Sequence, residues 1–312
     1  ALGACAGQGA VKVLSSHFSV LVRGQAQVMA AGPHVVRQAY GVEVDKNELG
    51  GHLAQRKSAL VHNEAEDEAD ALAQVRRFLS YLPRSVHELA PVVACDDDPH
   101  RADDWLKDAV PRDRRKIYDP RRILAAVFDQ GSLFEIGRWQ GGSLLTLLGR
   151  LNGVPVGVIA NDPKVQGGAM TLQAAYKMER HTRLCSQFGL PVVNFVDQPG
   201  NATGLEAELA GTLLGAVRLG EALAHCRSPW VSILMRRCFG MAGALHGPKG
   251  GARLNHRFAW PSARWGSIPI EGGVMAAHKA EIETAPDPAA QRAELEAFYL
   301  NMTSPFRTAE QF

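Results

Sequence analysis

Residues 231–244 read VSILMRRCFGMAGA, an apolar run that leads into a cluster of small residues. The stretch 231–235 has the length and composition of a buried strand, and 240–244 lacks the bulk to continue it. Small residues at a strand end let the chain turn sharply and bring backbone N–H groups close to a ligand. This junction of a buried strand and a sharp turn decides the fold class.

A second copy of the junction stands near the start of the chain, where residues 3–10 read GACAGQGA. In each copy a cysteine, Cys5 or Cys238, lies two residues before a small residue that opens the turn, and a further small-residue cluster at 247–251 follows the later copy. Two similar turns in one chain indicate a duplicated unit. Unpaired amides at the start of a following helix would favour negative charge, which predicts two oxyanion sites. Simple packing turns are the alternative that these residues leave open.

The composition is that of an ordinary globular protein. A length of 312 residues suggests about two domains, and 46% hydrophobic with 21% charged residues excludes fibrous and disordered classes. The net charge of +2 leaves no basic excess for a nucleic-acid partner. No apolar run approaches the roughly 20 residues of a membrane span, and no signal-peptide pattern is present. Five scattered cysteines without a CxxC pair indicate a reduced, cytoplasmic protein.

Residues 94–122 separate the chain into two parts. The segment holds eight acidic and eight basic residues and three prolines, with little apolar periodicity. Such a composition predicts a solvated linker between residues 1–93 and residues 123–312.

Periodicity places alternating elements on both sides of this segment. The patterns predict helices at 64–81, 122–128, 170–188 and 205–224, and buried strands at 192–196 and 231–235. Residues 143–160 predict two strands joined by a tight turn at Asn152-Gly153. The alternation of strand and helix predicts an α/β fold with at least partly parallel sheets.

Other chemical motifs are absent or ambiguous. The sequence has no HExxH, no GxSxG and no GxxxxGK, and its eleven histidines are dispersed, which favours structural roles over metal ligation. Asp197 follows a buried strand and fits either a functional loop or a turn cap. Trp260 and Trp265 fit either a pocket wall or ordinary aromatic packing.

These stretches together resemble the carboxyltransferase β subunits of biotin-dependent acyl-CoA carboxylases, of the propionyl-CoA carboxylase type. The resemblance extends through nearly the whole chain, in Gly3 to Ala10, Gly32-Pro33 with Val35-Val36, Glu48 to Gly51, Tyr81 to Pro83, Val196 to Gly200 and Phe258 to Pro261. It implies a crotonase-like ββα-spiral (the ClpP/crotonase fold) in two related domains. On this comparison residues 1–93 are the C-terminal part of an incomplete first domain, and residues 123–312 form the second domain.

The resemblance also implies a function. A carboxyl group would move from carboxybiotin to the α-carbon of an acyl-CoA through an enolate, with biotin on a carrier protein acting as the base and no metal in this component. The backbone amides of the two oxyanion holes would be those of Gly7, Gln8, Met241 and Ala242. The surrounding substrate and biotin pocket would include Gly240, Gly243, Ala244, Asp197, Pro199 and Gly200.

The implied partners are the acyl-CoA substrate, a biotin carboxyl carrier or biotin carboxylase subunit, and further copies of the chain in a hexamer. No nucleic acid and no membrane are expected as partners, and the expected location is cytoplasmic.

The chain departs from the family at the second turn. Residues 240–244 stand where the family usually has Gly-Gly-Ala-Tyr-Asp. Ala244 therefore replaces the acidic residue that is associated with specificity for short acyl chains. This replacement predicts a roomier and less polar acyl pocket. Three alternatives remain: a biotin-dependent acyl-CoA decarboxylase subunit, a crotonase-like hydratase or isomerase using Glu206 and Glu208 as acid and base, and a non-catalytic scaffold.

Overall fold

The computed structural model describes residues 1–113, 115–248, 254–267 and 269–310, so most of the small-residue cluster at 247–251 lies outside the described part. The N-terminal part consists of β1 (Ala4–Ala6), α1 (Gln8–Leu14), β2 (Val20–Val22), β3 (Gln27–Met29), α2 (Pro33–Tyr40), α3 (Lys46–Gly50), α4 (His52–Ser58), β4 (Asn63–Ala65) and α5 (Glu68–Ser80). Strand β1 pairs in parallel with β3, and β2 pairs in parallel with β4. A small core that includes Leu21, Val28 and Ala65 fills the space between these strands and α5.

The second part begins after a short 3₁₀ turn at Asp104–Lys107. Its elements are α6 (Pro120–Val127), β5 (Phe134–Glu135), β6 (Leu144–Leu151), β7 (Val154–Asn161), a 3₁₀ turn (Gln166–Gly168), α7 (Leu172–Phe188), β8 (Val192–Gln198), α8 (Leu205–Ala210), α9 (Thr212–Ala224), β9 (Trp230–Phe239), α10 (Gly240–Ala244), β10 (Asn255–Ala259), β11 (Arg264–Gly266), α11 (Ile270–Ala277), α12 (Lys279–Thr284), α13 (Pro288–Met302) and α14 (Pro305–Ala309).

Seven of the described strands form one sheet, in the order β10-β9-β8-β7-β6-β5, with β11 also paired to β9. Strands β7, β8, β9 and β10 run parallel to one another, whereas β6 is antiparallel to both of its neighbours, β5 and β7. The β6–β7 turn confirms the predicted hairpin, since Asn152 and Gly153 have φ of 49° and 78°. Two left-handed residues match the turn to the twist of the strands.

The sheet is buried on both faces, which explains why its strands read as continuous apolar runs. On one face Leu144, Ile159 and Val192 pack against α7 and α9. On the other, Phe195 and Met235 pack with side chains of α6. Helices α7 and α9 come close because the chain has Gly215 there, where a Cβ would lie 2.9 Å from Leu172 Cδ1.

Two expectations are corrected. The segment 94–122 is not simply solvated, because Val110 and Tyr118 are buried in the core on the α6 face of the sheet. The predicted helix at 205–224 is two helices, because Gly211 adopts a left-handed φ of 80° between α8 and α9. The domain boundaries at 93 and 123 remain predictions. Among the described residues, no helix combines the length and apolar character needed to cross a bilayer.

Candidate functional site

The two small-residue junctions have the same construction. In the N-side turn (residues 5–9) strand β1 leads through Gly7 into α1, and in the C-side turn (residues 238–242) β9 leads into α10, whose first residue is Gly240. Gly7 and Gly240 have positive φ values of 53° and 64°, which a residue with a side chain rarely adopts.

The pairing of the neighbouring strands repeats as well. Ala6 at the end of β1 faces Met29, and Phe239 at the end of β9 faces Gly266. In each case the preceding strand, β2 or β10, ends seven residues before β3 or β11 ends. This repetition is the arrangement that a duplicated unit would have, and it aligns Gly7 with Gly240, Gln8 with Met241 and Gly9 with Ala242.

The Gly7 amide is already used inside the chain. Its N–H donates to the carbonyls of Met29 and Ala30, at 3.2 and 3.1 Å. The expected role of Gly7 as an oxyanion donor does not agree with these bonds, because an engaged N–H is not available to a ligand. Gly7 is needed instead for its backbone conformation, and Gln8 and Gly9 are the equivalents of the C-side pair.

Met241 and Ala242 lie in the first turn of α10, where backbone N–H groups have no acceptor within the helix. The Met241 side chain is partly exposed and Ala242 is buried. The next residue, Gly243, has no room for a side chain, since a Cβ there would lie 2.8 Å from the carbonyl carbon of Cys238. Gly243 stands where the family usually has tyrosine, and the close packing of this turn requires that it has no side chain.

A cavity of about 470 Å³ opens beside α10. Its walls include Gly240, Gly243 and Ala244, together with Phe258 and Trp265. Arg257 is the one charged side chain among the described residues that line it. Three of the six predicted pocket residues thus share one mostly apolar cavity, and its volume lies in the usual range for a small-molecule site.

Asp197 is placed differently from the prediction. It is fully buried, and its carboxylate accepts from Arg236 Nη2 at 2.8 Å, Arg237 Nε at 2.7 Å and Tyr118 Oη at 3.0 Å. Burial alone would raise the pKa of Asp197, but the guanidiniums of Arg237 and Arg236 outweigh it and hold that pKa below its usual value. Burial, followed by the charge of Asp197, raises the pKa of Tyr118. Asp197 therefore ties strands together and does not line the cavity.

Pro199 and Gly200 also lie outside the walls of this cavity. They follow β8 and are half-buried, and the Gly200 carbonyl accepts from Gln198 Nε2 at 2.6 Å. The Gly200 carbonyl also accepts from the backbone N–H of Met170 at 3.0 Å, so the loop is tied to the segment that precedes α7.

Sequence reasoning missed a buried polar network next to Asp197. Gln198 Oε1 lies 2.9 Å from both Asn161 Nδ2 and His246 Nε2, and His246 Nδ1 lies 3.1 Å from Asn194 Nδ2. Burial, reinforced by the charge of Arg257, lowers the pKa of His246 to about 3, so the ring is neutral. The one signal in the sequence was that Gln198 directly follows Asp197. The pairing of Gln198 with His246, 48 residues away, had no local signal.

The other nominated side chains do not assemble around the cavity. Glu206 and Glu208 are exposed on α8, which gives the hydratase alternative no enclosed acid–base pair. Trp260 packs with the core beneath the sheet, whereas Trp265 lines the cavity.

A possible ligand set for a metal lies elsewhere in the described part of the chain. Cys95, Asp97 and Asp129 offer atoms within 4.8 Å of one another. The Asp129 carboxylate accepts from the backbone of Asn152 and Gly153, which accounts for its position without an ion.

Comparison with known proteins identifies the family. The family model described as the carboxyl transferase domain matches residues 1–311. A propionyl-CoA carboxylase carboxyltransferase subunit of Haloferax mediterranei is 33% identical over 99% of this chain and 60% of its own length. A biotin-dependent long chain acyl-coenzyme A carboxylase beta4 subunit of Mycobacterium tuberculosis is 34% identical, with the same coverage of both chains.

A solved structure has the same fold. The transcarboxylase 12S hexamer with methylmalonyl-coenzyme A bound is 29% identical and matches with a TM-score of 0.90, over 99% of this chain and 59% of that one. The chain thus spans about 60% of the length of the curated relatives it matches.

Proposed function

Because the chain belongs to the carboxyl transferase domain family, we propose that it provides carboxyltransferase machinery of a biotin-dependent acyl-CoA carboxylase. The observation that carries the proposal is the repeated strand–glycine–helix turn, whose C-side copy borders a 470 Å³ apolar cavity. The reaction is transfer of a carboxyl group between biotin on a partner subunit and the α-carbon of an acyl-CoA.

The finer fold assignment is a crotonase-like ββα-spiral built from two related units. It is supported by the repeated parallel pairing of short strands with a following helix, and by the close match to the transcarboxylase 12S subunit.

The chain's own contribution is electrostatic. Removing a proton from the α-carbon of a thioester places negative charge on the thioester oxygen, which two preorganised amides can stabilise. The C-side turn offers Met241 and Ala242 for one oxyanion, and the N-side turn offers Gln8 and Gly9 for the other. Because the donors are main-chain groups, a glutamine and a methionine can stand where relatives have glycine.

The biotin group fits the C-side cavity. The cavity is mostly apolar, and its wall includes Gly240 and Gly243, the residues on either side of Met241 and Ala242, which suits a compact neutral ring with one polar edge. When bound, carboxybiotin supplies the carboxyl group and, after releasing it, the base. The chain then has no need of a side-chain base, in agreement with the exposure of Glu206 and Glu208.

The proposed partners follow from the relatives. They are an acyl-CoA, a biotin carboxyl carrier or biotin carboxylase subunit, and further copies of the chain in a hexamer, as in the transcarboxylase 12S assembly. In such an assembly the N-side turn of one copy would face the C-side turn of another and complete the site.

The direct test is a carboxyl-transfer assay. The purified protein is incubated with a carboxylated biotin carrier bearing a radioactive carboxyl group and with a panel of acyl-CoAs. Acid-stable radioactivity on the acyl-CoA, abolished when avidin blocks biotin, is the expected result. Hydration of an enoyl-CoA without dependence on biotin would instead support the hydratase alternative, and a protein inactive in both assays would support the scaffold.

A further inference from the structure

Two consecutive residues of β8 hold both flanks of the C-side turn. Asp197 contacts the residues just before the turn, and Gln198 contacts a residue just after it. Both side chains are fully buried and lie apart from the cavity lining. The arrangement calls for an explanation, because buried charge and buried amide groups are expensive to desolvate.

Asp197 fixes the strand that leads into the turn. Its carboxylate accepts from the Arg236 and Arg237 side chains and, at 3.2 Å, from the backbone N–H of Arg237. The Arg236 guanidinium also donates to the backbone carbonyl of Lys116, at 2.8 Å. The strand residues directly before Cys238 are therefore held by charge-assisted bonds, which are shorter and stronger than neutral ones.

Gln198 fixes both sides at once. Its backbone pairs opposite Cys238, and its Oε1 accepts from His246 Nε2 at 2.9 Å. Because an amide oxygen only accepts, the Nε2 atom of His246 carries the proton. The unprotonated Nδ1 then accepts from Asn194 Nδ2.

His246 also closes the turn through its backbone. Its carbonyl accepts from Ser232 Oγ at 2.7 Å, and its N–H donates to the Gly243 carbonyl at 3.4 Å. Cys238 Sγ reaches that same Gly243 carbonyl at 3.3 Å. The residues before and after α10 thus converge on one anchored point.

We propose that Asp197, Gln198 and His246 are positioning residues that set the location of the Met241 and Ala242 amides for carboxyl transfer; this inference rests on the proposed function. A main-chain donor stabilises a developing charge only when it is held in place. A displacement of about 1 Å can cost about 100-fold in rate.

His246 gives a graded test that keeps a polar residue in the network. His246→Gln can place a donor where Nε2 stands and keep the bond to Gln198, whereas His246→Asn reaches only the Nδ1 position. We expect His246→Gln to retain kcat within about threefold. We expect His246→Asn to lose at least about tenfold in kcat, with the acyl-CoA KM within about threefold, as for a loss felt in the transition state.

The matched control is His62→Gln. His62 is a buried histidine whose Nδ1 accepts from the backbone N–H of Ser19 at 3.0 Å, in the N-terminal part. Glutamine reaches the Nε2 position and not the Nδ1 position, so this replacement removes a buried bond without touching the C-side turn, and kcat should stay near the wild-type value. Equal kcat for the two His246 variants, or a loss in His62→Gln as large as that in His246→Asn, would overturn the positioning role.

A second measurement separates positioning from support of the fold. Met241→Pro removes one of the two amide donors. In that background His246→Asn, and equally Gln198→Met, should lower kcat by less than about threefold. The reason is that substitutions of residues that act through the same group have non-additive effects on kcat. Fully multiplicative losses, or a lower Tm with unchanged kcat, show a network that serves only the fold and overturn the proposal.

The outcomes also separate the two proposals. An active wild type with unchanged His246→Asn and Gln198→Met variants removes the positioning role and leaves the proposed function intact. A wild type that transfers no carboxyl group removes the proposed function, and the positioning role with it.

Discussion

The N-side and C-side turns share a backbone but differ in what stands behind them. The N-side turn follows a three-residue strand paired to another three-residue strand, and Gly7 and Gln8 are exposed. The C-side turn follows the ten-residue strand β9 within the large sheet, and Ala242 is buried. The N-side turn is held by the backbone bonds of Gly7 to residues 29 and 30 and by a small core that includes Ala10, whereas a buried polar network and the core of the large sheet hold the C-side turn. The same donor geometry can therefore be built with very different amounts of support.

The largest expected effect concerns stability. Asp197→Ala should lower the free energy of unfolding by about 3–5 kcal/mol, because it leaves the buried Arg236 without its carboxylate. The N-side comparison is Glu64→Ala, which removes the partner of Arg56. The Arg56 side chain is 32% exposed, so water can replace the carboxylate and the loss should be clearly smaller. Denaturant unfolding of both variants measures the difference, and equal losses would contradict the contrast between the turns.

The next effect concerns catalysis. Met241→Pro removes an amide donor at a position where the first turn of a helix tolerates proline, so kcat should fall about 100- to 1000-fold. Met241→Ala keeps the amide and should be close to wild type. Gln8→Pro makes the same change in the N-side turn and should also lower kcat strongly if both turns hold oxyanions. Carboxyl transfer measured for the three variants decides this, and a folded Gln8→Pro variant with normal kcat would confine the donors to the C-side turn.

A smaller effect concerns pH. Burial, the largest cause at each site, lowers the pKa of His62 in the N-terminal part and of His246 beside the C-side turn to about 3. The unfolded chain takes up these protons below about pH 6.5 while the folded chain does not, so stability is complete above that pH and declines as the pH falls toward 3. Each histidine contributes up to about 1.4 kcal/mol per pH unit across this window.

Unfolding at a series of pH values checks that slope. His62→Gln and His246→Gln should each reduce it by a similar amount, provided that the two parts of the molecule unfold together. A slope reduced by only one of the two variants would show that they unfold separately.

The smallest effect concerns the acyl chain. Ala244 lies in the wall of the cavity proposed for biotin, and the acyl group must lie next to biotin during transfer, so the missing acidic side chain should leave space there for longer chains. Each buried methylene adds about 0.8 kcal/mol, so two more carbons raise kcat/KM about tenfold. Ala244→Asp should shift the preference back to short chains, whereas Gln8→Ala in the N-side turn should leave the rank order unchanged. Measuring kcat/KM for acetyl-, propionyl-, butyryl- and hexanoyl-CoA tests this. A wild-type preference for acetyl- or propionyl-CoA would show that Trp265 closes the space.

Local chemistry made much of the fold predictable. The Asn152-Gly153 turn needs two left-handed residues, and that dipeptide supplies them. The helix predicted at 170–188 is confirmed as α7, which ends at Gly189 in a left-handed conformation. The missed break at Gly211 is also local, but a lone glycine inside an apolar helical pattern is tolerated often enough to leave the outcome undecided.

The site was predictable only in its turn positions. A short motif shows where a chain turns but not which carbonyl accepts a given N–H, so the bond of Gly7 to Met29 was invisible. The partners Asp197 and Arg236 are 39 residues apart, and Gln198 and His246 are 48 apart. Such pairings depend on the register of the assembled sheet, which no local pattern encodes. The predicted assignment of Asp197 to a pocket wall was wrong for that reason.

The left-handed glycine that opens each turn has a consequence for how this chemistry can diversify. When the hydrogen-bond donors are backbone N–H groups, the side chains of the same residues have no role in the reaction. Gln8 and Met241 can then be replaced by other residues that contact new partners or ligands, while the reaction is retained. What selection must preserve is the glycine that opens each turn, because its φ of 53° in one copy and 64° in the other is rarely adopted by a residue with a side chain. A search for distant relatives of this machinery should therefore look for a shape of the main chain before it looks for a string of residues.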